Sequence, residues 1–277
     1  MRHLIRLSDY TKEEVREIFS IADRVKHGRY KGFLEGKTIV MFFPTSSIRT
    51  RVTFEKGIHL LGGQSILFPP EALDKKEAIE DVIGYLNNWA DAVVVRHQSI
   101  ELLESLRENA SIPIINGMTD TNHPCEMLAD MYALSNLRED FCESQFLFVG
   151  PKGNIGLAWK EAAELMGFHL KQSAPYGYEI EDVDVIYDLE EAIKGIDVVC
   201  TDSLSERQLN EFKNYQISLE LMEKANKNVL LNPCPPFFRG EEVSRQVIDS
   251  SYFVGYEFKK CLLEIQQAIL IFSLMEQ

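Results

Sequence analysis

Apolar residues along the chain fall into two alternating patterns, and the alternation repeats. Val15, Ile18, Phe19, Ala22 and Val25 recur at three- to four-residue spacing, which predicts an amphipathic helix over residues 11–25; Thr11 and Glu14 can form a capping box at its start. Thr38–Phe43 (TIVMFF) is a continuous apolar run, as in a strand covered on both faces, and Pro44 ends it. A helical pattern follows over 49–61, closed by Gly62-Gly63. Then come a strand at 64–68, a helix at 76–89, a strand at 92–95 (AVVV), a helix at 101–109, a strand at 113–116 and a long helix at 124–137. After the polar segment 138–144 the order restarts. Strands are expected at 145–150, 169–173, 197–201 and 229–231, helices at 155–166, 189–194 and 219–224, and a last helix at 260–275. Strands that alternate with helices predict parallel sheets flanked by helices, hence an α/β chain of two doubly wound domains. The expected division is 1–138 together with the C-terminal helix 260–277, and 144–256.

Length agrees with this, since 277 residues is about two domains at roughly 150 residues each. Hydrophobic residues make up 45% and charged residues 26%, values of an ordinary globular protein. The formal net charge is −14, which argues against nucleic acid or an anionic membrane surface as partner. A small anion would need a local basic pocket. The five cysteines (Cys125, Cys142, Cys200, Cys234 and Cys261) are widely spaced with no CxxC pair, so neither a disulfide framework nor a zinc site is expected. The N-terminal stretch lacks the apolar core of a signal peptide, and the longest apolar stretch, near 268–275, is short of a membrane span. A reducing, cytoplasmic setting is the expectation.

Candidate chemistry gathers where strands hand over to helices. Residues 44–51, PTSSIRTR, join a buried strand to a helix, and free N–H groups at a helix N-terminus attract anions. Ser47 and Thr50 add hydroxyls and Arg49 a fork of donors suited to phosphate; the alternative is a capped helix with a solvated Arg pair. Arg96 and His97 directly follow the AVVV strand. His123 and Glu126 flank Pro124 at a helix start and share a face, where each could equally serve the helix end. VGPKGNIG (149–156) resembles a dinucleotide-binding turn, but its spacing is GxxGxxG, and KQSAP at 171–175 offers no ribose-binding carboxylate. Asp202 and Cys234 follow two further short strands, and Asn232-Pro233-Cys234-Pro235-Pro236 could carry a non-proline cis-type turn or a backbone-lined pocket.

Together these pieces resemble the aspartate/ornithine carbamoyltransferase family over nearly the whole chain. The most specific matches are SxRTR followed by FE (47–55) and HPCEMLAD (123–130); IPIINGMTD (112–120) looks like the ornithine branch. The resemblance implies a first domain that binds carbamoyl phosphate, a second that binds an amino-acid or amine acceptor, and a homotrimer with active sites between subunits. It places Ser47, Ile48, Arg49 and Thr50 on the phosphate, Arg96 and His123 on the carbamoyl oxygen, and position 126 on its amide. Arg49, Arg96 and His123 would be the catalytic residues. Asn154, Asp202 and Cys234 would line the acceptor site, and Lys75 and Lys76 would reach a neighbouring subunit's site. The implied reaction needs no metal and no organic cofactor.

The chain also departs from the family pattern. Ile48 stands where Thr or Gly is usual, and Glu126 replaces Gln. A carboxylate about 4 Å from a dianion, at an effective dielectric of ~20, costs on the order of 4 kcal/mol unless it is offset or protonated. The Ser-Met-Gly loop after Asp202 is replaced by SLSERQLNEF, in which Arg207 could hold an acceptor carboxylate. His-Cys-Leu-Pro has become Asn232-Pro233-Cys234-Pro235, and the Arg of a terminal Glu-Asn-Arg falls on Leu262 or is replaced by Lys259 or Lys260. An alternative to catalysis is therefore a non-catalytic homologue with a sensing or assembly role. A nicotinamide-dependent oxidoreductase rests on VGPKGNIG alone.

Overall fold

Thr38–Phe42 forms β1, and Ile39 to Phe42 are buried, as the unbroken apolar run requires. In this computed structural model, which describes residues 2–275, β1 is a central strand of a four-stranded sheet. Its companions are β2 (Gln64–Phe68), β3 (Ala92–Arg96) and β4 (Ile114–Met118), in the order β2-β1-β3-β4 and all parallel. Val40 pairs with Ile66 on one side and Val93 on the other. The helices of this unit are α1 (Lys12–Lys26), α2 (Ile48–Leu60), α3 (Ile79–Leu86) and α4 (Ile100–Asn109). At α1, Thr11 Oγ1 accepts from the Glu14 N–H at 3.2 Å and the Thr11 N–H donates to Glu14 Oε2 at 2.8 Å, which is the capping box read from the sequence. One side of the sheet buries Val40, Phe42, Val93 and Val95 against Ile83, Leu103 and Leu106.

The second sheet is also parallel, with the order β7-β6-β5-β8-β9. Its strands are β5 (Gln145–Val149), β6 (His169–Ser173), β7 (Asp184–Val185), β8 (Val198–Thr201) and β9 (Leu230–Pro233). The helices from here on are α5 (Pro124–Leu137), α6 (Asn154–Met166), α7 (Leu189–Ala192), α8 (Leu219–Met222), α9 (Arg245–Ile248) and α10 (Gly255–Leu274). By contacts, residues up to Tyr132 and from Lys259 onward form one compact unit, and Ala133–Phe258 the other. The division thus falls within α5 and α10. The α/β class with two doubly wound parallel sheets is as expected. Met1, Glu276 and Gln277, at the ends of the expected 1–138 and 260–277 segments, lie outside the described residues.

Several elements differ from the sequence reading. The helix expected from residue 76 begins at Ile79, because residues 74–77 are exposed and carry no apolar face to bury. α10 starts five residues earlier than expected, at Gly255, where the Phe258 N–H donates to the Val254 carbonyl at 3.0 Å. β7 and α9 were not expected; β7 is two residues long, too short for a periodicity to register, and α9 is a single turn capped by Ser244. β2 is where it was expected, but it is an edge strand with Gln64, Ser65, Ile66 and Phe68 exposed.

Strand order decides where chemistry can sit. From β1 the chain steps outward to β2, then returns to the other side of β1 to lay down β3. From β5 it steps out to β6 and β7, then returns to lay down β8 on the other side. Each reversal opens a crevice beyond the carboxyl ends of the two central strands, where open α/β sheets bind ligands.

Candidate active site

In the first unit, the crevice between the ends of β1 and β3 holds both of the strongest sequence signals. Pro44 to Ser47 leave β1 and open α2, with Ser47 as N-cap residue. The Ser47 side chain caps no helix N–H. Instead Arg96, the last residue of β3, donates from Nη1 to Ser47 Oγ at 3.0 Å. Ser47 and Thr50 are buried, Ile48 and Arg49 exposed, and the Ile48 N–H is taken by the Ser46 carbonyl at 2.9 Å. Arg51 pairs with Glu55 at 2.8 Å, whereas Arg49 is exposed and its charge is felt at Glu126. The N-terminal turn of a 13-residue helix, the Ser47 hydroxyl and the Arg96 guanidinium therefore meet at this crevice.

A cavity of about 400 Å³ opens here, lined by Pro44, Ser46, Pro70, Asp74, Arg96 and His97. His97 Nδ1 accepts from the Ser99 N–H at 3.0 Å, which puts its proton on Nε2, 2.9 Å from Asp74 Oδ1. Asp74 begins the exposed bend that carries Lys75 and Lys76, so His97 ties that bend to the end of β3.

His123 reaches the site from the loop ahead of α5. A buried amide network fixes this loop: Asn116 Nδ2 donates to the Ile5 carbonyl at 2.9 Å and to Asn122 Oδ1 at 2.7 Å, and Thr119 Oγ1 donates to the same oxygen at 3.0 Å. His123 and Glu126 are both buried, with His123 Nε2 3.9 Å from Glu126 Oε2. Burial, and then the positive charges of Arg96 and Lys259, push the His123 pKa down to about 4 against a partial pull upward from Glu126. His123 is therefore a neutral imidazole at physiological pH.

Glu126 is the departure from the family pattern, and the structure supplies its offset. Burial is the largest single influence and would raise its pKa, but the charge and hydrogen bond of Lys259, together with its cationic surroundings including Arg49, hold the carboxyl below its usual range. Lys259 Nζ contacts Glu126 Oε1 and lies 2.6 Å from Asp130 Oδ1. Of the candidates for the lost terminal Arg, Lys259 is the one at this site, whereas Leu262 is buried apolar packing. Asp130 was missed by the sequence reading. The signal was there: two acids four apart on an apolar helix need a cation from elsewhere.

In the second unit, the crevice lies between the ends of β5 and β8. A Cβ placed on Gly153 would sit 3.8 Å from Asp202 Oδ2, and one on Gly150 would sit 3.5 Å from the Asp202 backbone nitrogen. The turn before α6, which begins at Asn154, is thus drawn tight against Asp202. Gly156 belongs to packing, since a Cβ there would come within 2.7 Å of Phe148 and Ile180. Cys234 follows β9, and its N–H donates to the Thr201 carbonyl at 3.0 Å. Asn154, Asp202 and Cys234 therefore follow the carboxyl ends of three adjacent strands, β5, β8 and the edge strand β9. The cis bond in the proline run is Pro235–Pro236, not a non-proline one. Arg207 is exposed in the segment after Asp202. Glu242, absent from the sequence reading, is buried, accepts from the Phe238 N–H at 2.7 Å, and has its pKa raised to about 7 by burial.

The glycine turn is not matched by a ribose-binding acid at the end of β6. Gln172 there donates to the Gly150 and Tyr178 carbonyls, each at 2.9 Å, and Ser173 Oγ donates to the Ile186 carbonyl at 2.7 Å. Among the described residues, no cluster of three His, Cys, Asp or Glu side chains is arranged to hold a metal ion.

Each of the two doubly wound units of this α/β protein carries polar side chains at the crevice of its own sheet, Ser47 and Arg96 in the first and Asp202 in the second. Comparison with known proteins gives the lineage. Residues 2–136 match the aspartate/ornithine carbamoyltransferase carbamoyl-P binding domain, and residues 143–273 match the Asp/Orn binding domain of that family. The chain belongs to the aspartate/ornithine carbamoyltransferase family. It is 31% identical to the ornithine carbamoyltransferase of Psychrobacter cryohalolentis, over 100% of this chain and 98% of that protein. It is also 31% identical to that of Geobacter sulfurreducens, over the full length of both. Among solved structures, ornithine carbamoyltransferase from Pyrococcus furiosus superposes with a TM-score of 0.93 at 29% identity, covering 99% of this chain and 97% of that one.

Proposed function

We propose that the chain transfers the carbamoyl group of carbamoyl phosphate to the amine of an ornithine-like amino acid and releases phosphate. The observation that carries this reading is the Arg96–Ser47 contact across the first crevice, beside buried His123 and the start of α2. The phosphate takes Arg49, Ser47, Thr50 and the first-turn N–H groups of α2. The carbamoyl oxygen faces Arg96 and the neutral His123, and the amide faces Glu126. As the amine nitrogen attacks the carbamoyl carbon, charge builds on that oxygen, and donors aimed there lower the barrier. The carbon–oxygen bond to phosphate then breaks with its electron pair on phosphate, which is also a base for the proton the amine gives up.

Asn154, Asp202 and Cys234 hold the acceptor, with Asp202 on an ammonium and Arg207 available to a carboxylate. The first unit is the donor domain and the second the acceptor domain. The protein works as a homotrimer, in which Lys75 and Lys76 reach a neighbour's site. Support for self-association comes from the exposed apolar residues Ile48, Val52, Ile66, Phe68, Tyr85 and Trp89 on α2, the edge strand β2 and the α3 segment. None of the five cysteines is in a disulfide, as suits a reducing cytoplasm. No described helix is long and apolar enough to cross a membrane.

The test is turnover of carbamoyl phosphate with a panel of amines, read as phosphate release together with ureido product, with the oligomer sized by light scattering. Turnover with ornithine or a near analogue is expected. No ureido product from any amine would overturn the reading.

A further inference from the structure

Glu126 and Asp130 lie one turn apart on α5, and both are almost wholly buried. Two carboxylates so placed repel each other, and neither can be left unpaired without a large penalty. One cation reaches both, Lys259 on α10, 129 residues beyond Asp130 in sequence. The two oxygens of Glu126 then have different surroundings. Oε1 is held by Lys259, whereas Oε2 faces His123 Nε2 at 3.9 Å, too far for a hydrogen bond. Oε2 thus keeps accepting capacity on the side where His123 and Arg96 gather. An ionised carboxylate accepts hydrogen bonds and donates none, whereas a Gln amide in its place would present either end.

We propose that Lys259 is a positioning residue for donor specificity: by gripping Glu126 Oε1 it fixes Oε2 as a purely accepting group against the NH2 of the carbamoyl group. The inference rests on the carbamoyl-phosphate reading above. It adds that this chain selects donors by an ion pair, and that an isostere with a methyl in place of NH2 is rejected because Oε2 would lose its partner.

Two stable phosphonates separate the question from turnover. Phosphonoacetamide carries the NH2, acetonylphosphonate carries a methyl in its place, and inorganic phosphate reports the phosphate subsite alone. Titration calorimetry on the full-length wild type is expected to favour the amide by at least 30-fold. K259M should cut that preference at least tenfold while changing inorganic phosphate affinity less than threefold; K259R should hold the preference within threefold. E126Q alone should also cut it tenfold, because Lys259 takes the amide oxygen and turns the Gln NH2 toward the ligand NH2. E126Q/K259M should restore it, because the Gln is then free to turn. A merely structural Lys259 would weaken all three ligands together and would not be rescued by E126Q. If K259M fails to fold, E126Q and K259R carry the test. An unmoved preference in E126Q or K259M, or no rescue in the double variant, overturns the proposal while leaving the functional reading intact. A wild type that binds none of the three ligands overturns both.

Discussion

Arg96→Ala asks whether the side chain at the end of β3 does chemistry or only ties the crevice together. Its structural share can be bounded. Arg96 Nη1 donates to the buried Ser47 hydroxyl at 3.0 Å, and removing it leaves that hydroxyl without this partner, at about 1–3 kcal/mol. For a unit of this size each kcal/mol moves Tm by about 2–4 °C, so a fall of roughly 2–12 °C is expected. Its catalytic share is larger. A donor aimed at a developing oxyanion contributes about 2.7–4 kcal/mol, or about 10²–10³ in kcat. The assay is ureido product formed from saturating carbamoyl phosphate and acceptor at 25 °C, below the lowered Tm, with folded fraction followed by circular dichroism. Arg96→Lys keeps the charge but not the planar fork, and should fall between wild type and Arg96→Ala. A variant that keeps kcat within tenfold of wild type would refute the donor role. So would a loss that simply follows the unfolded fraction.

Arg49→Ala should abolish measurable carbamoyl phosphate binding by calorimetry with an unchanged circular dichroism spectrum, because Arg49 is exposed; unchanged affinity would remove it from the site. His123 has a folded pKa of about 4 against an ordinary 6.5, so between these values the unfolded chain binds a proton that the folded chain refuses. The His123 share of stability should fall as pH drops through that window, by up to about 3 kcal/mol, while Glu242, whose pKa is raised to about 7, acts in the opposite direction over the same range. The readout is therefore the difference in urea midpoint between wild type and His123→Asn from pH 7 to 4.5, which should shift steadily in favour of the variant; a difference that does not change with pH would refute the assignment to His123. Gly156→Ala should lower Tm through a destabilisation of about 1–3 kcal/mol, because the added methyl meets Phe148 and Ile180 at 2.7 Å; an unchanged Tm would show that these side chains give way freely.

The strands were legible because both-face burial leaves an unbroken apolar run, as in Thr38–Phe42, Ala92–Arg96 and Gln145–Val149. Site residues at strand ends were legible for a related reason: Arg96, Asp202 and the 44–51 segment follow such runs directly. What could not be read was partnership across long separations. Whether Ser47 caps a helix or meets Arg96 depends on strand order, and no local pattern prints strand order. Glu126 looked like an electrostatic fault because its counterion is 133 positions away in the chain. The short β7 escaped because two residues carry no period.

The first unit is not a continuous piece of chain, and this orders events during synthesis. Residues 133–258 must be made after Tyr132 before Lys259 exists to complete the unit. At about 5–20 residues per second, that interval of 126 residues lasts roughly 6–25 s. Throughout it Glu126 and Asp130 lack the ammonium that allows both to be buried. A nascent chain can therefore hold every residue from Ser47 to Glu126 and still be unable to close the helix that carries them. Completion of the first crevice is deferred until the second has already been synthesised, so a chain cut short before Lys259 lacks the cation that pairs with Glu126 and Asp130.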